Sequence, residues 1–192
     1  MRIILASASP YRKKLLESIG IHFETIVSTV QEHDVLCPEP AKRAELLAQM
    51  KAEDIAKHHP DALVIGSDTV LEGPNRSLLE KPIHEEDARR MLRLQSGNAS
   101  LVHSGLSIAY KGKTHTGIDT TTVIFTHLTT EEIDAWIASG NWQNCSGALQ
   151  IEGLGQFLIE RLEGDYTGVI GLPLFLLGKL FEEAGVKWRE LV

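Results

Sequence analysis

The side chains able to do chemistry in this chain are two separated carboxylates and a scatter of cations. Asp68 follows the apolar run Ala62–Ile65, inside Gly66-Ser67-Asp68-Thr69. A carboxylate just past the end of a buried strand stands where open α/β sheets present ligands. There it can hold Mg2+ or orient a water; it can equally cap a turn. Glu32, in Gln31-Glu32-His33-Asp34, offers a second carboxylate to a divalent ion bound against a polyphosphate, or is a solvated loop acid. Lys51 and Lys81 can each neutralise phosphate charge, although most lysines are simply solvated. Near the start, Ile3–Leu5 runs into Ala6-Ser7-Ala8-Ser9, and Pro10 opens a basic helix. Ser9 suits the N-cap and Pro10 the first helical position. Two hydroxyls beside Arg12, Lys13 and Lys14 at a helix N-terminus form an anion site, which points to a phosphorylated ligand.

The elements that must position these residues alternate between strand and helix signals. The first helix ends at Gly20, a C′ glycine. Phe23–Val27 reads as a strand. Glu39–Lys57 reads as a helix whose stripe includes Leu46, Leu47, Met50 and Ile55. Ala62–Ile65 is a short buried strand. Glu85–Leu94 is a helix. Leu101–Ala109 and Thr116–Phe125 alternate as two strands around the Lys111-Gly112-Lys113 turn. Thr129 and Glu132 make a capping box that opens a helix to about Ser139. Gly140–Gly155 reads as a loop, Gln156–Leu162 as a strand and Leu172–Ala184 as the last helix. The pattern predicts an α/β fold with a mixed, twisted sheet. Residues 1–192 form one domain in two lobes, the middle lobe spanning roughly residues 70–140, with an active cleft between the lobes.

Composition excludes several classes. The chain has 192 residues, 43% hydrophobic and 23% charged, as in ordinary globular domains. No apolar run reaches the roughly 18 residues of a membrane span, and the N-terminus does not read as a signal peptide, so a cytoplasmic protein is expected. The net charge of −7 argues against a nucleic-acid polymer as partner but leaves room for a small anion held by a local basic cluster. Cys37 and Cys145 have no metal spacing and no expected disulfide. The histidines lack the spacing of metal ligands. Gly147, Gly153 and Gly155 could let backbone approach a ligand, but they make no dinucleotide fingerprint. There is no P-loop, since Ser107 stands where its first glycine belongs, and no nucleophile elbow.

Eight segments in order resemble the Maf (septum formation protein) family of nucleoside triphosphate pyrophosphatases. They are Leu5-Ala-Ser-Ala-Ser-Pro-Tyr-Arg, Glu32, Leu47-Ala-Gln-Met-Lys-Ala, Val64-Ile-Gly-Ser-Asp-Thr-Val, Glu80-Lys-Pro, Met91-Leu-Arg-Leu-Gln-Ser-Gly, Gly147-Ala-Leu-Gln-Ile-Glu-Gly-Leu-Gly and Gly164-Asp-Tyr-Thr-Gly-Val-Ile-Gly-Leu-Pro-Leu. The resemblance spans nearly the whole chain. It implies hydrolysis between the α and β phosphates of a nucleoside triphosphate, a divalent cation (Mg2+ or Mn2+), and often a homodimer. It implies Asp68 as proton acceptor or holder of the attacking water, Glu32 and Asp68 sharing the cation, and Ser7, Arg12, Lys51 and Lys81 on the triphosphate. Charge neutralisation and in-line positioning are what phosphoryl transfer asks of a protein.

The resemblance implies that substrate choice rests on Tyr11, Thr69 and Glu152. Family members acting on dTTP and UTP tend to carry Arg, Thr and Gln there; those acting on 7-methyl-GTP tend to carry Trp, Gln and Glu. Tyr11 and Glu152 lean to 7-methyl-GTP, as do Ser67, Cys145 and Glu160-Arg-Leu-Glu-Gly. An aromatic face attracts a cationic methylated purine, and a carboxylate accepts from the guanine N–H edge. Thr69 leans to dTTP and UTP. Asn144-Cys145-Ser146 stands where that group usually has Asp-Lys-Ala. The expected substrate is 7-methyl-GTP, with dTTP and UTP second. A nucleotide-binding regulator of cell division is the alternative of another class; an RNA-binding module is disfavoured by the charge.

Overall fold

The computed structural model describes residues 1–191. Seven strands form one sheet: β1 (Ile3–Leu5), β2 (Glu24–Thr25), β3 (Leu63–Glu72), β4 (Leu78–Leu79), β5 (Ala99–Tyr110), β6 (Lys113–Phe125) and β7 (Ile159–Glu163). Their spatial order is β2-β1-β3-β5-β6-β7, with β4 paired to β3. β1 is parallel to both β2 and β3; every other pairing is antiparallel. The helices are α1 (Pro10–Ser18), α2 (Pro40–Ala56), α3 (Glu85–Gln95), α4 (Thr130–Ser139), α5 (Tyr166–Ile170) and α6 (Leu174–Glu183). The mixed α/β architecture expected from the sequence is the one observed.

Local chemistry explains most boundaries. Ser9 accepts a hydrogen bond from the Arg12 amide and Pro10 begins α1. The Thr129 and Glu132 box caps α4, which ends at Gly140 in the left-handed region. Asp165 caps the short α5 through the amides of Thr167 and Gly168.

Several expected boundaries differ, three of them with a clear cause or consequence. The strand that starts near Ala62 does not stop before Gly66 but runs on to Glu72, so Asp68 lies in the middle of β3 rather than beyond its end. The cause is long-range: β5 pairs with β3 from Val64 to Glu72, facing Asp68 with Gly105 and Thr69 with Ser104. The expected strand at Gln156 begins only at Ile159, because Gly153–Leu158 is a 3-10 turn. The last helix begins at Leu174, after Pro173, and a separate helix precedes it.

Apolar side chains gather in clusters along the one sheet. Leu71, Leu92, Val102, Phe125 and Trp136 belong to one cluster, drawn from residues between Leu71 and Leu158. Leu5, Leu16, Ile65, Leu106 and Phe181 belong to another, built by the two ends of the chain together with inner strands. A third, including Ile4, Ala52, Ile55 and Val64, fills the space between α2 and the sheet.

α2 lies unusually close to the strands. A Cβ at Gly66 would collide with the Ala48 carbonyl and the Ala52 amide, and one at Gly105 with the Ala44 carbonyl. Glycine in the strands and alanine on the helix let backbone meet backbone. Gly105→Ala or Gly66→Ala should therefore overpack this contact by about 1–3 kcal/mol. Calorimetry should show a Tm lower by roughly 5 °C. Gly178 of α6 has open space around its Cβ position, so Gly178→Ala should raise Tm instead, as a helix-interior Gly→Ala change does.

Candidate active site

Every site residue expected from the sequence lines one cavity of about 790 Å3: Ser7, Tyr11, Arg12, Glu32, Lys51, Asp68, Thr69, Lys81 and Glu152. They arrive from seven separate places in the chain. β1 and the turn after it bring Ser7, and α1 brings Tyr11 and Arg12. A 3-10 turn (Glu32–Asp34) brings Glu32, α2 brings Lys51, and β3 brings Asp68 and Thr69. Lys81 follows β4, and Glu152 precedes the 3-10 turn at Gly153.

Lys51 is the hinge of the acidic part. Its ammonium is buried and lies 2.6 Å from Asp68 Oδ1 and 2.6 Å from Glu32 Oε1. Burial drives the Asp68 carboxyl above its ordinary range, Glu32 adds to that push, and Lys51 and Arg12 oppose it. Glu32 behaves differently. Burial works against its charge, but Lys51, Lys81 and Arg12 together hold it below the ordinary range. Two carboxyl groups of one site are thus driven apart in acidity, a pattern common where one group must hold charge and the other exchange a proton.

The Arg12 guanidinium is held by neutral oxygens. Nη1 donates to Ser7 Oγ (3.1 Å), Nη2 to Thr69 Oγ1 (3.0 Å) and Nε to the Gly171 carbonyl (2.9 Å). Burial lowers its pKa, and the nearby charges of Asp68 and Glu32 partly restore it. Ser7 accepts from Arg12 and also from the Ser9 amide (3.2 Å). Both its lone pairs are engaged, so the Ser7 proton is left for an acceptor in the cavity. A phosphate oxygen is such an acceptor.

The other wall carries Tyr11. Burial raises its hydroxyl pKa, as do the adjacent Cys145 and Glu152. The Cys145 thiol is pushed up by burial and donates to the Gln143 carbonyl.

Several contributors escape a reading by residue type. Arg43 donates to the Glu32 and Val35 carbonyls and faces Glu80 at 3.5 Å, fixing the Glu32 turn against α2. Its signal is spacing: Arg43, Leu47 and Lys51 recur every four residues on one helix face, and all three line the cavity. Ser67 donates to the Gly171 carbonyl (2.8 Å). Gly171 has φ of 118°, and a Cβ there would press 3.0 Å from Thr69 Oγ1 and 3.2 Å from Arg12 Nε. Gly147, Gly153 and Gly155 do not line the cavity, contrary to their expected use toward a ligand. Gly147 packs against Leu71 and Gln95, and Gly155 against the Gln150 carbonyl.

A divalent cation has a limited donor set here. Among the described residues no cluster of three or more His, Cys, Asp and Glu could hold an ion. Glu32 and Asp68 do converge, both on the Lys51 ammonium. Two carboxylates with water and phosphate oxygens completing the shell are the ligands Mg2+ ordinarily takes with nucleotides. Glu32 and Asp68 are thus the residues that could hold such an ion.

A mixed sheet with a cavity carrying one buried carboxylate and several cations defines an α/β protein built to handle a phosphorylated small molecule. The sequence pattern of the family described as "Maf-like protein" matches residues 2–184, and the chain belongs to that family. It is 40% identical over 185 residues to a Deinococcus radiodurans protein named dTTP/UTP pyrophosphatase, covering 96% of this chain and 94% of that one. A Bacillus cereus protein of the same name is 42% identical over 173 residues, covering 90% of each. Among solved structures, a HAM1 protein from Coxiella burnetii covers 95% of this chain and 99% of its own, with TM-score 0.53 and 11% identity. That likeness concerns the fold alone. No described helix is long and apolar enough to cross a membrane.

Lys51→Met should leave Asp68 and Glu32 facing each other without their shared cation. Carboxyl-detected NMR titration should then show both pKa values moving up, with Glu32 no longer below the ordinary range. An unmoved Glu32 would contradict the electrostatics described here.

Proposed function

We propose that this chain hydrolyses the α–β phosphoanhydride of nucleoside triphosphates, with dTTP and UTP as preferred substrates, releasing a monophosphate and pyrophosphate. The coarser statement, a nucleotide pyrophosphatase of the Maf family, rests on the family match and on the names of the relatives. The single observation that carries the chemistry is Asp68: a buried carboxylate with raised pKa, fixed by Lys51, in a cavity it shares with Arg12 and Lys81.

In this reading Lys51 holds Asp68 Oδ1, and the other oxygen receives a proton from, or aims, the water that attacks phosphorus. Arg12, Lys51 and Lys81 offset the charge of the phosphates, and Ser7 donates to a phosphate oxygen. Such electrostatic stabilisation is the main demand of phosphoryl transfer. A divalent cation held by Glu32 and Asp68 would neutralise further phosphate charge when bound.

The base assignment follows the relatives rather than the expectation of 7-methyl-GTP. The relatives at 40% and 42% identity are named for dTTP and UTP, and Thr69 agrees with them. The Lys14 ammonium stands 6.0 Å from the Tyr11 ring centroid, so the aromatic face that would attract a cationic purine already has a cation beside it. 7-Methyl-GTP remains the second reading because Tyr11 and Glu152 share the cavity wall.

A panel of dTTP, UTP and 7-methyl-GTP with Mg2+, followed by pyrophosphate release, tests the assignment. Turnover of 7-methyl-GTP alone would reverse the base preference. Asp68→Asn should lose at least about 100-fold in kcat while still binding nucleotide; retained turnover would favour a binding regulator. The pH dependence has a definite sign. Asp68 must be ionised to accept a proton and its pKa is raised. The acid limb of kcat/KM should therefore lie above the ordinary Asp value of about 3.9, with activity lost as pH falls through it.

A further inference from the structure

The cavity wall that carries Glu152 is a loop, residues 143–152, with an unusual backbone. Asn144, Gly147 and Ala148 all have positive φ, 61°, 65° and 59°. Such a backbone persists only where its surroundings hold it. Residues 143–146 and 149–152 line the cavity. The two between them, Gly147 and Ala148, are buried, and side chains from two helices donate to their carbonyls. Trp136 Nε1 donates to Ala148 at 2.9 Å and Gln95 Nε2 to Gly147 at 2.7 Å.

Gln95 ends α3 and is fully buried. Its other amide proton goes to the Met91 carbonyl at 3.1 Å. Both partners can only accept, so the amide has one orientation, and Oε1 is left without a partner. An orphaned acceptor is destabilising, and an apolar side chain of the same length would avoid it. The bond to Gly147 is what separates Gln95 from such a residue.

Gly147 also reaches the phosphate side. Its amide donates to the Glu80 carbonyl at 3.1 Å, and Lys81 follows. The Glu80 carboxylate faces Arg43 at 3.5 Å, and Arg43 holds the Glu32 turn. The Lys81 charge acts on both the Glu32 carboxyl and the Cys145 thiol, so Lys81 stands between the acidic residues and the loop. Gly147 thus joins three segments: the end of α3, the Glu152 loop and the strip that carries Lys81.

We infer that Gln95 is a positioning residue that, through Gly147, sets the Glu152 loop and Lys81 at one fixed separation. A ligand with a base at one end and phosphates at the other must span that separation. The inference deepens the pyrophosphatase reading and rests on it for the identity of the ligand.

The test compares two probes by calorimetry with Mg2+. Inorganic tripolyphosphate has phosphates alone; the α,β-methylene analogue of UTP has both ends and resists hydrolysis. Gln95→Met keeps the side-chain length and removes the donor. It should weaken the analogue by about 3- to 10-fold and tripolyphosphate by less than about twofold, and should raise KM for UTP more than it lowers kcat. The change exchanges an orphaned Oε1 for an orphaned Gly147 carbonyl, so Tm should stay within about 3 °C of wild type. Gln95→Glu is the second variant. A buried carboxyl is held protonated and can donate to the Gly147 carbonyl, so this variant should recover most of the lost affinity. In a Lys81→Ala background, Gln95→Met should cost the analogue less than about twofold more, since the cation it positions is gone. Equal weakening of both probes would overturn the inference, as would unchanged affinity for both, additive losses in the cycle, or a Gln95→Met chain that does not fold. A wild type that fails to bind either probe overturns it too. A wild type that binds both but hydrolyses no nucleotide fails the pyrophosphatase reading alone, because the two affinities still decide the role of Gln95.

Discussion

Helix α2 rests on β3 and β5 with no side chain between them at Gly66 and Gly105. The contact is backbone to backbone, through Ala44, Ala48 and Ala52, and it fixes how far Lys51 stands from the sheet. Asp68 lies two residues beyond Gly66 on the same strand and directly opposite Gly105 on the next. The two glycines that bring the helix in therefore bracket the carboxylate that the helix serves. At 2.6 Å the Lys51–Asp68 pair has no slack to absorb a displaced helix.

Burying charge is costly unless the charge is paired, and the site handles this with an uneven population. Two carboxylates share one lysine, while Arg12 is surrounded by hydroxyls and a carbonyl instead of a direct ionic partner. Positive charge is left over at the end of the cavity near Arg12 and Ser7. The whole chain carries a charge of −7, so this excess is local. A net negative charge with a local cluster of cations suits a compact anion better than an extended one.

Much of this was legible in the sequence, and the rest was hidden for identifiable reasons. Caps and periodicity marked most helices, since these signals depend on neighbours within four residues. The site residues could be named because their motifs stand in order. The place of Asp68 within β3 was not legible, because the strand is extended there by pairing with β5 more than thirty residues away. Arg43 shares the spacing of Leu47 and Lys51, but nothing local marks the Glu32 turn that folds onto it. Gly171 gave no sign that its carbonyl serves Arg12 and Ser67, a relation across more than a hundred residues. The base preference was least legible. Tyr11 gains its environment from Cys145 and Glu152 on a distant loop, and side-chain identity does not specify such a meeting.

Ser7, with two incoming hydrogen bonds, gives the phosphate end of the cavity a polarity. The guanidinium and the ammonium groups nearby also have only protons to give. A ligand group there must accept from all of them. An ionised phosphoryl oxygen does so, whereas a P–OH group or a neutral amide N–H meets donors with a donor. On the proposed reading, this end of the cavity favours the more fully ionised form of the same molecule. The pH at which substrate becomes recognisable is in this way set partly by the ligand's own last ionisation, and not by the protein alone.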